Sequence, residues 1–518
     1  MIKEKNSSNQ LLVVNMVSSF LSLAVTFGIS FFLSPYIVET VGVEAYGFVG
    51  LANNFISYAS LITIALNALS GRFITIAIHE QNYEKANRYY SSVFLANCLI
   101  SAVLLLMGTI VCLYLEHFIS IPANILWDVK LLFAALFINC IVSTIGSVFS
   151  VSTFATNKLY ISSFRSIESS LIRAVALIGL FAFFSPRAYY LGITSLLANV
   201  YCMVFNIHYM HKLLPALHIK RSSFDFAAVR ELASSGVWSL VTRVGSLLTD
   251  GLDLLITNIL VDPTAMGVLS LAKTVPALIT SIVGSLVGVF LPNFTILYAE
   301  GHHNELIESV KQSMKIMGVL ANLPITVLIV CGVRFFGLWQ PTQDAYQLQI
   351  LSLLTCAGLI INGGINCIYN IFSVVNKLKL NAIVLTISGL LSTVIVLILL
   401  KTTSLGIYAV AGVSTAILIL KNVFIIVPYG AKCLNMKWYA LYPEIIRTVV
   451  FVAVSSVVGI ILTKNIAGGW IHLIAAGFIT GVSSLAIGYF TVLGKKERLY
   501  IQRVISKRIK RKTDDFDT

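Results

Sequence analysis

Charged residues interrupt an otherwise apolar stretch of the sequence, SLVTRVGSLLTDGLDLLITNIL, at residues 239–260. An ionised side chain costs about 2.5–3.5 kcal/mol at the centre of a membrane helix, and it usually faces a cavity or another charge. Arg243 and Asp250 are seven residues apart, so they fall nearly in line on a helix that turns about 100° per residue. Asp253 lies within about 80° of Arg243. The spacing predicts that all three side chains face one cavity, where the cation attracts anions and the carboxylates hold a proton or Na⁺.

Further cations lie in other apolar stretches. Lys273 comes ten residues after Pro263, at the tip of a predicted hairpin, and Asp253 comes ten residues before it. The two side chains therefore lie at similar depth, and they either line a cavity or form a fixed ion pair that pins the hairpin. Arg173 either lines the same cavity or extends to the membrane interface. For Lys421 we expect extension to the interface.

The elements that must position these residues are membrane helices. Of 518 residues, 57% are hydrophobic and 11% are charged, against about 25% charged in soluble domains. Apolar blocks of about twenty residues have the length that crosses the hydrocarbon core. The sequence predicts an all-α polytopic membrane protein with about fourteen spans, at 9–33, 43–70, 91–115, 126–153, 167–185, 190–210, 233–260, 264–292, 312–334, 346–372, 380–400, 405–428, 446–463 and 470–493.

Basic residues indicate the orientation of the chain. They concentrate in the even-numbered connections and are few in the odd-numbered ones, so the positive-inside rule places the even connections and both termini in the cytoplasm. The net charge of +14 is concentrated in the tail KKERLYIQRVISKRIKRK, residues 495–512. This tail either binds anionic lipid headgroups or only orients the chain. We expect membrane lipids as its partner, and no nucleic acid.

Motifs typical of enzymes do not occur in the sequence. It contains no Gly-rich phosphate loop, nucleophile elbow or zinc motif. The eight cysteines fall almost entirely within spans, without paired spacing, and no connection exceeds about twenty residues. We therefore expect no catalytic residue, no metal and no cofactor, and a function carried out within the membrane.

The sequence is repeated at an offset of 220 residues. VGVEAYGFVGLANN at 41–54 aligns with VDPTAMGVLSLAKT at 261–274, and the same offset pairs Leu66 with Leu286 and Glu80 with Glu300. One offset for all matches predicts two parallel six-helix bundles, a plan typical of transporters that work by alternating access. The predicted parts are an N-lobe at 1–218, a C-lobe at 219–430, two further helices at 431–494 and the basic tail at 495–518.

The stretch VGVEAYGFVGLANNFISYASLITIALNALSGRFITIAIHE at 41–80 resembles the polysaccharide-transporter family of flippases. Its signature pieces are Gly-x-Glu-x-Tyr-Gly at Gly42 to Gly47 and Arg72 near the inner end of span two. That family belongs to the multidrug/oligosaccharidyl-lipid/polysaccharide exporter superfamily. The resemblance implies a bacterial or archaeal cytoplasmic membrane protein that moves undecaprenyl-pyrophosphate-linked oligosaccharide to the outer leaflet. Precursors of O-antigen, capsule, exopolysaccharide or teichoic acid are the usual cargoes, and a polysaccharide polymerase and glycosyltransferases are expected partners.

Such a cargo gives each candidate residue a predicted role. The cations would attract the pyrophosphate, and the carboxylates would balance them in the empty state or couple transport to H⁺, Na⁺ or the membrane potential. Amides of the N-lobe either contact sugar hydroxyls or join helices, and prolines within spans are either hinges or ordinary irregularities. The cations are Lys273, Arg243 and Arg173, and the carboxylates are Asp250 and Asp253. The amides are Asn53, Asn54 and Asn67, and the prolines are Pro276 and Pro324.

Two other functions stay open. A multidrug or cation antiporter of the same superfamily would share the fold, but it would favour an acidic and aromatic cavity. A membrane polysaccharide polymerase or ligase is the alternative from a different class, and such enzymes usually expose a large outer loop.

Overall fold

Helices make up the computed structural model, which describes residues 2–67, 70–375, 377–466, 468–494 and 498. Thirteen helical segments within these ranges are long and apolar enough to cross a membrane, and the same ranges contain no strand. The prediction of an all-α membrane protein is therefore confirmed. The seventh predicted span is not one of the thirteen, so the total of fourteen stays a prediction.

Two compact units divide the chain, at residues 1–270 and 271–518. The first unit holds predicted spans one to seven and the beginning of the eighth. Its α-helices are Ile2–Val41, Val43–Ala59, Leu61–Asn67, Ser70–His79, Tyr83–Leu113, Leu115–Phe118, Leu126–Gly146, Val151–Ala155, Leu159–Phe183, Tyr189–Leu213, Phe226–Ser246, Asp253–Leu260 and Pro263–Ala272, the last of which runs across the boundary. A π-helical turn, Leu247–Gly251, joins the two helices of span seven.

The first unit extends further along the chain than the predicted N-lobe, which was placed at 1–218. Span seven packs on spans two and three because small and polar residues bring it close to them. A Cβ atom at Gly236 would overlap the Ala65 carbonyl, and the Tyr89 hydroxyl donates a 2.8 Å hydrogen bond to Glu231 Oε2. Leu232 is fully buried in the same core. Residues 219–270, predicted as C-lobe, therefore belong to the first unit in this structure.

Residues that the sequence paired at an offset of 220 touch each other within the first unit. The Thr264 hydroxyl donates a 2.7 Å hydrogen bond to Glu44 Oε1. One turn along, a Cβ atom at Gly47 would lie 2.7 Å from the Gly267 Cα. Spans two and eight thus begin with their backbones in direct contact, which only small residues allow.

The second unit contains the rest of span eight and spans nine to fourteen. Its α-helices are Thr274–Gly288, Leu291–Ala299, His303–Leu320, Leu323–Trp339, Ala345–Val374, Leu378–Thr402, Ile407–Lys421, Val427–Cys433, Tyr442–Thr463 and Trp470–Thr491, with a π-helical turn at Asn422–Ile426. Spans thirteen and fourteen pack on span nine, where Gly459 lies against Val330 and Gly488 against Val319. Arg334 donates to the carbonyls of Thr463 and Ile466 and so holds the end of span thirteen.

Candidate functional site

A polar cavity of about 470 Å³ lies within the first unit, among spans one, two, four, five and six and the beginning of span eight. Its volume is in the range of small-ligand pockets, roughly 300–1,000 Å³. Arg173 is the single charged residue in the lining, as far as the described residues show. The hydroxyls and amides of the lining belong to Ser30, Tyr46, Asn53, Asn139, Ser169, Ser170, Thr194, Ser195, Asn199 and Ser270.

Span five supplies the cation through its helical spacing. Ser169, Ser170, Arg173 and Leu177 all line the cavity, and their separations of three and four residues place them on one face of the helix. Arg173 is half-buried, and its Nη2 donates a 3.2 Å hydrogen bond to Ser30 Oγ on span one. A guanidinium carries five N–H donors in a planar fork, so this bond leaves donors for an anion.

Amides on spans four and six form the neighbouring wall. Asn199 Nδ2 donates to Asn139 Oδ1 at 2.9 Å and to the Asn139 carbonyl at 3.1 Å. The Ser169 hydroxyl donates a 3.0 Å hydrogen bond to the Ala198 carbonyl and links spans five and six. Neutral hydrogen-bonding groups therefore surround the guanidinium, which is a lining suited to an anion attached to hydroxyl-rich groups.

Span seven has a different geometry from the one that its spacing predicted. Arg243, Asp250 and Asp253 would share a face only on one continuous α-helix. The π-helical turn at Leu247–Gly251 widens the helix between them and changes the angular advance. Arg243 and Asp250 are exposed and Asp253 is buried at 5% exposure. None of the three is in the lining of the Arg173 cavity, as that cavity is described here. Their proposed joint role stays a prediction.

Lys273 belongs to the second unit, where it is half-buried at a break between two helices of span eight. The break follows from Pro276, which lacks the N–H that would bond to the Ala272 carbonyl. Pro324 likewise comes directly after a break, since one helix ends at Leu320 and the next begins at Leu323. Both prolines therefore interrupt their spans, and their roles as hinges stay predictions.

The three candidate amides lie in different surroundings. Asn53 lines the cavity and is exposed to it, with its Nδ2 bonded to the Val49 carbonyl at 3.0 Å. Asn54 instead donates a 2.9 Å hydrogen bond to the Gly251 carbonyl in the π-helical turn. Asn67 exchanges two 3.1 Å hydrogen bonds with the fully buried Asn97. Only Asn53 of this set lies with Arg173 in one cavity.

Several polar residues escaped the sequence analysis. The run SIESSLIR at 166–173 repeats small polar residues at helical spacing within an apolar span, a signal that could have found Ser169 and Ser170. Glu168, on the same span, accepts hydrogen bonds from Arg165 at 2.6 Å and from the Tyr201 hydroxyl.

The expectation for Lys421 was wrong. Its side chain is buried at 5% exposure and does not extend to the interface. Lys421 Nζ lies 5.7 Å from the centre of the Tyr369 ring, and the adjacent Asn422 bonds to Tyr369 and Asn362 at 2.7 and 2.6 Å. Partners from span ten therefore hold this part of span twelve inside the second unit.

A comparison with family models identifies the family of the chain. A model described as polysaccharide biosynthesis protein matches residues 12–297. The chain belongs to the polysaccharide biosynthesis protein family. This finding confirms the resemblance carried by residues 41–80. A relative in Bacillus subtilis strain 168, the uncharacterized membrane protein EpsK, is 27% identical over 498 residues, which cover 95% of this chain and 98% of the relative.

Solved structures show that this member of the family shares its fold with known transporters. The lipid II flippase MurJ in an inward closed conformation is 15% identical, with a TM-score of 0.66 over 92% of this chain and 99% of MurJ. An inward-facing multidrug resistance transporter of the MATE family and MOP superfamily is 12% identical, with a TM-score of 0.65 over 82% of this chain and 98% of the transporter. At these identities the likeness shows the fold alone.

Proposed function

We propose that this protein is a flippase that moves undecaprenyl-pyrophosphate-linked oligosaccharide from the inner to the outer leaflet of a bacterial or archaeal cytoplasmic membrane by alternating access. The polar cavity around Arg173 carries the proposal. A guanidinium recognises phosphate oxygens through paired N–H donors. The amides and hydroxyls around it offer the donors and acceptors that sugar hydroxyls need. A lipid tail finds no comparable match in this lining, so it would stay in the hydrocarbon.

Residue roles follow from this cargo. Arg173 binds the pyrophosphate and Asn53 contacts the first sugars. Arg243 and Lys273 attract the anion during its entry or passage, and Asp250 and Asp253 balance the cations when the cargo is absent or couple transport to H⁺, Na⁺ or the membrane potential. Pro276 and Pro324 are the bending points. Surface polysaccharide such as capsule, O-antigen, exopolysaccharide or teichoic acid is the product, made with a polymerase and glycosyltransferases.

The lining argues against a cation or multidrug antiporter. Such a cavity would need carboxylates to attract a cationic drug, whereas the lining described here holds one cation and no carboxylate. A polymerase or ligase is the remaining alternative, and it would act on cargo that has already crossed the membrane. The leaflet in which precursor accumulates therefore separates the flippase from the enzyme.

Complementation of a gene deletion tests the proposal. The variants are Arg173→Gln, Arg173→Lys, Lys273→Ala, Arg243→Ala and Asp253→Asn, compared at equal membrane expression. Arg187→Gln is the matched control, because Arg187 is an exposed arginine that pairs with Asp128 at 3.5 Å outside the cavity. Surface polysaccharide and lipid-linked precursor in each leaflet are measured.

We expect the deletion to lose surface polymer and to accumulate precursor in the inner leaflet. Arg187→Gln should rescue it, Arg173→Gln should not, and Arg173→Lys should rescue it in part, because lysine keeps the charge but lacks the planar fork. Precursor in the outer leaflet of the deletion strain would assign the chain to a later enzymatic step. Full rescue by Arg173→Gln would remove the cavity from the mechanism.

A further inference from the structure

The connection between spans six and seven, residues 214–225, is an ordered strap along the beginning of span three. Asn87 binds it at two points, since its Nδ2 donates to the Ala216 carbonyl at 3.2 Å and its Oδ1 accepts from the His218 N–H at 2.7 Å. The Ser91 hydroxyl donates to the His218 carbonyl at 3.3 Å and accepts from the Lys220 N–H at 3.1 Å. Side chains of span three thus provide hydrogen-bond partners for the backbone N–H and carbonyl groups of the strap.

The end of the strap is fixed in the same way. Ser92 Oγ accepts a 2.9 Å hydrogen bond from the Asp225 N–H, and Arg88 Nη1 lies 3.3 Å from Asp225 Oδ2. Two residues of the strap itself, Leu214 and Leu217, are buried in the hydrophobic core of the first unit. One face of the strap therefore binds span three, and these bonds fix which side chains of the strap point away from that helix.

The outward face of the strap combines basic and apolar side chains. Lys220 and Arg221 are exposed, and the large apolar side chains of Ile219 and Phe224 are 37% and 40% exposed. Phe226, the first residue of the next helix, is 70% exposed. The one acidic residue of the strap, Asp225, is occupied by Arg88. The face is thus cationic with apolar side chains beside the charges.

The position of the strap decides between kinds of partner. Span six ends at Leu213 and the helix of span seven begins at Phe226, so the strap lies where the chain leaves and re-enters the membrane. Basic side chains there meet negatively charged lipid headgroups, and adjacent aromatic side chains reach the boundary of the acyl chains. An acidic soluble protein would satisfy Lys220 and Arg221 but would have to compete with lipid for the two phenylalanines.

We propose that the strap is a binding site for anionic phospholipid headgroups at the membrane surface. Lys220 and Arg221 bind the phosphates, and Phe224 and Phe226 insert at the level of the upper acyl chain. The site is separate from the Arg173 cavity and does not depend on which cargo the protein moves. It anchors the junction between the first six spans and span seven to the surface of the bilayer.

Lipid retention by the purified full-length chain tests the charged half of the site. The protein is equilibrated in nanodiscs of equal phosphatidylglycerol and phosphatidylcholine, released, and the bound lipids are counted by native mass spectrometry. The test variant is Lys220→Gln/Arg221→Gln. It should fold normally, because the hydrogen bonds that Lys220 and Arg221 make in the strap use backbone atoms, which the substitutions keep. Lys401→Gln/Lys464→Gln is the matched control, since it removes the same charge from two exposed lysines elsewhere.

We expect the wild type and the control to retain phosphatidylglycerol in preference to phosphatidylcholine. In the strap variant, the ratio of retained phosphatidylglycerol to phosphatidylcholine should fall about fivefold for each basic side chain removed. This is the effect of one cation at the surface of anionic headgroups. Equal preference in the strap variant and the control would overturn the proposal. The proposal would also be overturned if the strap variant kept the lipid preference of the wild type but no longer bound an acidic polypeptide. That result would assign the face to a protein partner.

A second measurement tests the apolar half independently of charge. Tryptophan is introduced by Phe226→Trp, and its fluorescence is compared with the wild-type background in bilayers of phosphatidylglycerol brominated at defined acyl positions. Quenching should be strongest for bromine close to the headgroup and weaker for bromine near the bilayer centre. No quenching at either depth would place Phe226 in water and contradict the site.

Discussion

The Ser352 hydroxyl donates a 2.7 Å hydrogen bond to the Ala272 carbonyl, which is the carbonyl that Pro276 leaves without a helical donor. Ser352 is fully buried. Proline has no N–H, and an unpaired carbonyl in an apolar interior is costly. A side chain from span ten therefore supplies the donor that span eight lacks, and the break at Lys273 is stabilised within the second unit.

A double-mutant cycle tests this relationship. Ser352→Ala should lower the free energy of unfolding by about 1–3 kcal/mol, because it leaves the Ala272 carbonyl unsatisfied. Pro276→Ala restores a backbone N–H that can bond to the Ala272 carbonyl. In that background, Ser352→Ala should lower the free energy of unfolding clearly less. Thermal unfolding in detergent, converted to free energies, gives the coupling. Additive effects would mean that the hydroxyl does not compensate for the proline.

Asn53 and Asn67 should separate function from folding. Asn53→Ala removes an amide that faces the cavity. We expect about fivefold slower transport, which corresponds to the free energy of one hydrogen bond to the cargo, and an unchanged melting temperature. Asn67→Ala leaves the buried Asn97 without one partner and should lower stability by about 1–2 kcal/mol. Surface polysaccharide and thermal unfolding are measured on both variants. A lower melting temperature for Asn53→Ala, with normal transport, would assign it a structural role.

Gly47→Ala should disrupt the contact between spans two and eight. The added Cβ would lie within 3.0 Å of Gly267 backbone atoms, and backbone cannot move aside as a flexible side chain can, so we expect a loss of about 1–3 kcal/mol. Gly179→Ala is the matched control, because no atom lies within 4 Å of a Cβ at that position. It should be neutral or slightly stabilising. Equal melting temperatures for both variants would show that spans two and eight do not need this approach.

Asn258 should hold the connection between spans three and four in place. Its Oδ1 accepts from the Ser120 N–H at 2.8 Å and its Nδ2 donates to the Ser120 carbonyl at 3.0 Å. Asn258→Ala removes both hydrogen bonds. Added protease should then cleave the segment around Ser120 at least several times faster, because the lost bonds stabilise the closed segment by about 1–2 kcal/mol. Asn465→Ala, at an exposed asparagine, serves as the reference. Identical cleavage of both variants would contradict the prediction.

Sequence reasoning was most successful where the signal is local. Apolar blocks of membrane-spanning length predict helices without knowledge of their neighbours. Arg173 and Asn53 could be selected because charged and amide side chains are rare in such blocks. Their presence in one cavity follows from helices packing side by side, and the structure brings them together.

Features that depend on a partner from another span could not be predicted. The π-helical turn of span seven is held by Asn54 and Tyr58, which both donate to the Gly251 carbonyl, and these residues are nearly two hundred positions away in the sequence. Burial of Lys421 depends in the same way on Tyr369. Thr194 gave no signal, because Ser and Thr in membrane helices usually bond to their own backbone, as the Thr194 hydroxyl does to the Tyr190 carbonyl.

The hydrogen bond between Thr264 and Glu44 has a consequence for how such a chain can arise from two copies of one unit. At the offset of 220 residues by which the sequence aligns with itself, Glu44 corresponds to Thr264 and Gly47 to Gly267, and both pairs are in contact. In a pair of identical subunits, the residue at such a position meets its own copy, so a glutamate would face a glutamate and the carboxylates would repel. Joining the copies in one polypeptide frees the two sides to diverge. A carboxylate can then accept a hydroxyl donor at 2.7 Å, a pairing of unlike partners that exact symmetry forbids.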